Sequence, residues 1–150
     1  MDTGAWIEDY EDFMIPYLRD HPLLKLLWKL GKPDDSLEFK MGLIEEERSI
    51  DMFFMYPGPA ENETWTGHQP MDDEHSKEFN VYPRFHRVCT ADLHGYLVYV
   101  PCDPLPLLQY EYGYAEWMIP RGDQIHNRRE NGTWLEGLWE RGEVFRDYQS

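Results

Sequence analysis

Ser49-Ile50-Asp51-Met52-Phe53-Phe54-Met55-Tyr56 is the stretch on which the reading of this chain turns. Apolar and aromatic residues fill it, and no glycine or proline interrupts it, so it reads as the most strand-like run in the sequence. One residue is out of place. Asp51 puts a carboxylate among Ile50, Met52, Phe53 and Phe54, where a bare charge is costly to bury. Either it reaches water at the strand end, hydrogen-bonded to a turn, or it projects from a rigid strand as a metal ligand. Mg²⁺ and Mn²⁺ prefer carboxylate oxygens together with substrate phosphate.

Upstream, Leu24, Leu26, Trp28 and Leu30 alternate with Lys25 and Lys29, which suits a strand. Gly31-Lys32-Pro33-Asp34-Asp35 is a turn, Leu37 to Leu43 a second strand, and Glu45-Glu46-Glu47 an acidic tip. Ile7, Tyr10, Met14, Tyr17 and Leu18 fall at helical spacing, with Pro16 expected to kink or end that helix. Downstream, the prolines, glycines and acids of 57–80 read as a long exposed loop, followed by strands over 85–89 and 93–100. Asp103-Pro104 then caps a helix that Gly113 stops, and the pattern over 134–148 is helical. The sum is one α+β domain spanning 1–150, with strands before and between helices.

Composition narrows the function. A net charge of -15 argues against non-specific binding to nucleic acid or to an anionic membrane surface. An acidic protein can still handle phosphorylated substrates when carboxylates hold a divalent cation. No apolar run approaches the roughly 18–20 residues of a membrane span, and the N-terminus is not a secretory signal. Cys89 and Cys102 could form one bond or stay reduced in the core. Asn62-Glu63-Thr64 and Asn131-Gly132-Thr133 fit the glycosylation pattern, which matters only in a secretory compartment. His68, His75, His86 and His94 lack the tight pair spacing of zinc sites and read as scattered surface residues.

A run of segments in register resembles the fukutin/LicD family. Asp2-Thr3-Gly4-Ala5-Trp6-Ile7-Glu8-Asp9-Tyr10 looks like the family segment that starts at the second acid of an Asp-x-Asp motif and runs into a helix. Lys32-Pro33-Asp34-Asp35-Ser36-Leu37-Glu38, Ser49 to Tyr56, Trp65-Thr66-Gly67 and Tyr82-Pro83-Arg84-Phe85 follow in the family's order. So do Cys89, Val100-Pro101-Cys102, Tyr112 to Pro120 and Asn131-Gly132-Thr133-Trp134. The likeness spans nearly the whole chain. Single pieces are weak, and their shared order is the specific signal.

The resemblance implies an incomplete nucleotidyltransferase-like domain, a mixed sheet flanked by helices, forming the C-terminal part of a catalytic domain. It implies metal-dependent transfer of a phospho-sugar-alcohol, ribitol-phosphate-like, or of phosphocholine, from a CDP-linked donor to a glycan hydroxyl. Asp2 and Asp51 would be the catalytic acids and hold Mg²⁺ or Mn²⁺, while Trp65, Asp92 and Trp117 would bind substrate. By position alone Asp2 is an unremarkable terminal residue. Bound metal would neutralise the diphosphate, and the acceptor's own hydroxyl would attack in line. The Golgi lumen is the implied location.

Met1 stands directly before Asp2, so the first acid of the Asp-x-Asp motif is absent and an N-terminally truncated copy is expected. The rival reading is a non-catalytic module, derived from such an enzyme, that binds glycan or protein through its Trp65 loop and its Tyr112–Trp117 segment.

Overall fold

The computed structural model describes residues 2–44, 48–69, 76–115, 118–119, 134–138 and 144–146, with Asp2 and the last two stretches as backbone alone. In chain order these form β1 (Asp2–Trp6), a 3-10 turn (Ile7–Asp9), α1 (Met14–Arg19), β2 (Leu24–Lys32), β3 (Asp35–Leu43) and β4 (Ser49–Pro57). There follow β5 (Glu63–His68), β6 (Ser76–Pro83), β7 (Val88–Leu93), β8 (Tyr96–Pro101), α2 (Leu105–Tyr112), β9 (Trp134–Leu138) and β10 (Val144–Arg146). No helix among the described residues is long and apolar enough to cross a membrane.

The chain divides into two compact units, one of Met1–Tyr56, Trp65–Asn80 and Trp134–Ser150, the other of Pro57–Thr64 and Val81–Thr133. The first is built on an eight-stranded sheet in the order β10-β2-β3-β4-β5-β6-β9, with β1 joining alongside β4. Strands β2, β3 and β4 form an antiparallel meander, whereas β1 pairs with β4 in parallel. Period-two alternation decides what each face buries. In β3, Leu37, Phe39 and Met41 enter the core, as do Phe54 and Tyr56 of β4, with Ile50 and Met52 packed against them. The Phe39 and Phe54 rings meet edge-on at 5.3 Å, and Tyr10 caps Phe54 at 5.7 Å. Each such buried side chain contributes about 1.5–3 kcal/mol.

The β2–β3 turn is tightly bound. Gly31 takes φ 68, and any side chain there would collide with the Ser36 carbonyl oxygen at 2.2 Å. Ser36 itself sits at φ 55, a strained value for a residue with a Cβ, and its hydroxyl donates to Asp35 Oδ1 at 2.7 Å. The Tyr56 hydroxyl accepts from Leu37 N–H at 2.9 Å and donates to the Lys32 carbonyl at 3.3 Å, tying both sides of the turn to the end of β4.

The second unit holds the β7–β8 hairpin and α2. At the hairpin tip His94 and Gly95 take positive φ, and Asp92 Oδ1 accepts from Gly95 N–H at 3.1 Å. A Cys89–Cys102 disulfide closes the base of the hairpin, with Cα atoms 4.9 Å apart.

The expected α+β, nucleotidyltransferase-like architecture is overturned. The described residues are mostly strand, and α1 and α2, of 6 and 8 residues, do not make flanking helical layers. Three misreadings account for this. The helix expected over Ile7–Leu18 shrinks to a 3-10 turn and α1, where Pro16 lies in the first turn and its missing N–H costs nothing. The loop expected over 57–80 contains β5 and the start of β6, because Thr64, Trp65 and Thr66 favour a pleated surface despite Gly67. The helix expected over 134–148 is replaced by β9, paired with β6, and β10, paired with β2. Strand edges awaiting partners overrode a helical pattern that Gly137 already weakened. The α2 helix runs as expected to a stop at Gly113, but its cap is Pro104, with no side-chain hydrogen bond, rather than Asp103.

Candidate functional site

Because Ile50, Met52, Phe54 and Tyr56 serve the core, Asp51 lies on the opposite face of β4. Register then fixes its neighbours. Across β3 its partner is Lys40, and across β1 its backbone partner is Asp2. Adjacent strands run about 4.8 Å apart, so residues 2 and 51 are next to one another in the ladder. A bulge at Leu27 shifts β2 so that Leu26 pairs with Met41 on the core side and Trp28 pairs with Lys40 on the other. The result is a cross-strand row of Trp28, Lys40 and Asp51, continued in register by the backbone of Asp2.

Charge and burial give the row its character. The Lys40 ammonium stands 3.2 Å from Asp51 Oδ1 and 5.6 Å from the centre of the Trp28 ring. Asp51 is 19% exposed and Lys40 31%. Asp51 Oδ1 itself is buried, and no described donor aligns with it as a hydrogen bond. The ammonium is close enough for an ion pair, but its approach to that oxygen lacks the alignment of a hydrogen bond. Glu38, two residues from Lys40 on the same face of β3, is 3% exposed. Neither Lys40 nor Glu38 was singled out from the sequence. The signal was present as the alternation of Ser36, Glu38 and Lys40 against Leu37, Phe39 and Met41, but only register shows that Lys40 meets Asp51.

Other expected site residues lie elsewhere. Trp65 in β5 is half-buried, stacked on Tyr56 at 4.3 Å and edge-on to Phe79 at 5.3 Å, so its ring packs the core. Asp92 belongs to the second unit, where its carboxylate stabilises the hairpin tip. Trp117 lies outside the described residues. As for the metal implied by the resemblance, Asp51 Oδ1 suits one ligand position, being an oxygen with unused capacity. Among the described residues no three His, Cys, Asp or Glu side chains group closely enough to hold an ion. The fit is therefore partial, with Lys40 now serving as the cation beside Asp51.

Fold and site together define a mostly β protein with a charged cross-strand row on the face of its sheet away from the aromatic core. No protein-family model and no solved structure matches the chain. Among curated proteins it is similar to human ribitol-5-phosphate transferase FKTN, 29% identical over 140 residues that cover 93% of this chain and 29% of the relative. It is also similar to two uncharacterized proteins of Caenorhabditis elegans, T07A5.1 and W02B3.4. The first is 30% identical over 150 residues and the second 28% over 149, each match covering 91% of this chain and 38% of the relative. The chain thus has a distant, fukutin-like relationship over most of its length, and spans about a third of the relatives it matches.

Proposed function

We propose that this chain serves the transfer of a phosphorylated sugar alcohol, ribitol-phosphate in type, from a CDP-linked donor to a glycan hydroxyl. The observation that carries the reading is the Asp51 carboxylate on β4, with Asp2 as its register partner, in a chain similar over 93% of its length to a ribitol-5-phosphate transferase. Asp51 and Asp2 would hold a divalent cation, which when bound would neutralise charge on the donor's diphosphate. Lys40 neutralises Asp51 in the absence of an ion, and its ammonium adds positive charge for a phosphate oxygen once released. The acceptor hydroxyl is the nucleophile: its oxygen bonds the alditol-bearing phosphorus as that phosphorus's bond to the bridging diphosphate oxygen breaks, CMP leaves and the hydroxyl proton passes to solvent, so no covalent enzyme intermediate forms. Burial of Asp51 Oδ1 supports this role, since a half-desolvated carboxylate binds a cation more strongly than one in open water.

A second reading is favoured by the Lys40–Asp51 pair itself: a non-catalytic module for glycan or protein, in which the row is a purely structural ion pair. Thermal melts with Mn²⁺ separate the two. The transferase reading expects Mn²⁺ to raise the melting temperature, Asp51→Asn to abolish that gain, and Lys40→Met to tighten Mn²⁺ binding about tenfold by removing one competing charge. No Mn²⁺ effect on either the unmodified protein or Lys40→Met would leave the binding module standing. The Cys89–Cys102 disulfide and the exposed Asn62 of the Asn62-Glu63-Thr64 sequon support a place in the secretory lumen, where oxidising conditions keep such bonds.

A further inference from the structure

Strands β7 and β8 form a two-stranded sheet by themselves, and among the described residues no third strand pairs with either. An isolated two-stranded hairpin is marginal in water and gains from a further strand. Proteins usually blunt an open strand edge with a lysine, a proline or a bulge, which discourages another chain from adding to the ladder. None of these protects β8 before Pro101 at its end. Tyr96-Leu97-Val98-Tyr99-Val100 is uncharged and made of residues that favour strands. Its register with β7 runs unshifted from the Val88–Pro101 pair to the Leu93–Tyr96 pair.

Alternation puts Leu97 and Tyr99 on one face of the hairpin and Tyr96, Val98 and Val100 on the other. Tyr96 is 76% exposed, Leu97 79% and Tyr99 83%, so large apolar surfaces on both faces stand in water. The strand is also self-complementary. An antiparallel ladder between two copies of β8, centred on Val98, sets Leu97 of each opposite Tyr99 of the other and Tyr96 opposite Val100. Every such pair joins an aromatic to an aliphatic side chain, a combination that stabilises sheets. Charge favours the same occupant. The chain carries a net charge of -15, yet 88–101 holds Asp92 as its one acid and no Lys or Arg. Asp92 lies on β7, engaged at the hairpin tip. Two acidic copies therefore meet with least repulsion along β8, whereas a basic partner would be drawn to the acidic remainder of the surface. Two tyrosines and a leucine from each copy, with the paired backbone, bury on the order of 1,000 Å² in total, the lower bound for a specific interface and suited to a reversible dimer.

We propose that the outer edge of β8 pairs antiparallel with β8 of a second copy of this chain, making one four-stranded sheet about a two-fold axis. Such a dimer involves the second unit alone and is independent of the transferase reading. The test is sedimentation velocity of the full chain from about 1 µM to about 200 µM, the range of a weak interface. The mass should rise with concentration from 18.0 kDa toward twice that value, and more readily at high salt, which screens the repulsion between copies. Leu97→Lys with Tyr99→Lys sets lysine opposite lysine and should hold the mass at 18.0 kDa, as should Leu97→Glu with Tyr99→Glu. Mixed in equal amounts, the two double variants set lysine opposite glutamate at both positions and should regain the doubled mass. Hydrogen exchange in the unmodified protein needs no variant: alternate amides of 96–100 should slow about tenfold as the dimer fills. A single 18.0 kDa species at every concentration, a dimer that persists in both double variants, a mixture that stays monomeric or unchanged exchange at those amides would each overturn the pairing. Flotation of the monomer with phosphatidylcholine vesicles, lost in the double variants, would give this edge to lipid instead of a second copy.

Discussion

Replacing Tyr56 by phenylalanine removes one oxygen and leaves the ring in place, stacked on Trp65 at 4.3 Å. What is lost is the acceptor for Leu37 N–H, a donor in a residue that is 0% exposed, together with the long contact to the Lys32 carbonyl. A buried amide without an acceptor costs about 1–3 kcal/mol, so Tyr56→Phe should be destabilised by that amount at neutral pH. The same hydroxyl makes a pH signature. Burial pushes its pKa from 10.0 to about 12, opposed by the Leu37 N–H and helped by Asp35 and Asp34.

The sign follows from linkage. Below the unfolded value both states keep the proton, and the contribution of Tyr56 to stability is complete. Between 10.0 and about 12 the unfolded chain ionises first, so stability falls with rising pH and the contribution is gone above the folded value. After allowance for solvent screening this loss is about 1–2 kcal/mol. Tyr56→Phe lacks the slope. Tyr10, also raised by burial and by Asp12, titrates alike in both proteins and cancels in the comparison. Urea unfolding followed by tryptophan fluorescence, at about pH 8 and about pH 11.5, measures both quantities. The stability gap between the two proteins should narrow at the higher pH. An equal gap at both values, or a variant no less stable at the lower one, would refute the argument.

Two further perturbations test the frame around the candidate sites. Cys89→Ser with Cys102→Ser opens a loop of 13 residues' separation and should cost about 3 kcal/mol, read as a lower midpoint in calorimetry. Gly67→Ala would place its Cβ 2.1 Å from Ser36 Oγ and should lose about 1–3 kcal/mol. Adding Ser36→Gly should restore most of that, because it removes the colliding hydroxyl and relieves the positive φ together; a double-mutant cycle in urea measures the coupling.

The meander of β2, β3 and β4 was legible because each strand announces itself by alternation, with Leu24, Leu26, Trp28 and Leu30 in one and Leu37, Phe39 and Met41 in the next. Asp51 was legible for the opposite reason, as a charge among aromatics. The strands β9 and β10 were not, since their residues carry a helix-like pattern and gain their ladders from neighbours remote in sequence; β5, set between its chain neighbours β4 and β6, was hidden by the prolines, glycines and acids around it. The pairing of residues 2 and 51 likewise depends on a parallel contact between segments about fifty residues apart, which no local period encodes.

A strand-face aspartate with a lysine directly across the ladder is a common way to make a half-buried carboxylate tolerable, and by itself it implies no chemistry. What makes this pair informative is the geometry of Oδ1. A structural ion pair gains most when the ammonium also donates along a lone pair, and here it does not: the oxygen is buried, charged and unaligned. On the proposed reading, a small divalent ion with carboxylate affinity would compete with Lys40 for this oxygen. Lys40→Met therefore decides between the functional readings more sharply than removal of Asp51. It leaves the carboxylate in place without its counter-charge, so the variant either gains affinity for Mn²⁺ or loses stability with nothing to restore it.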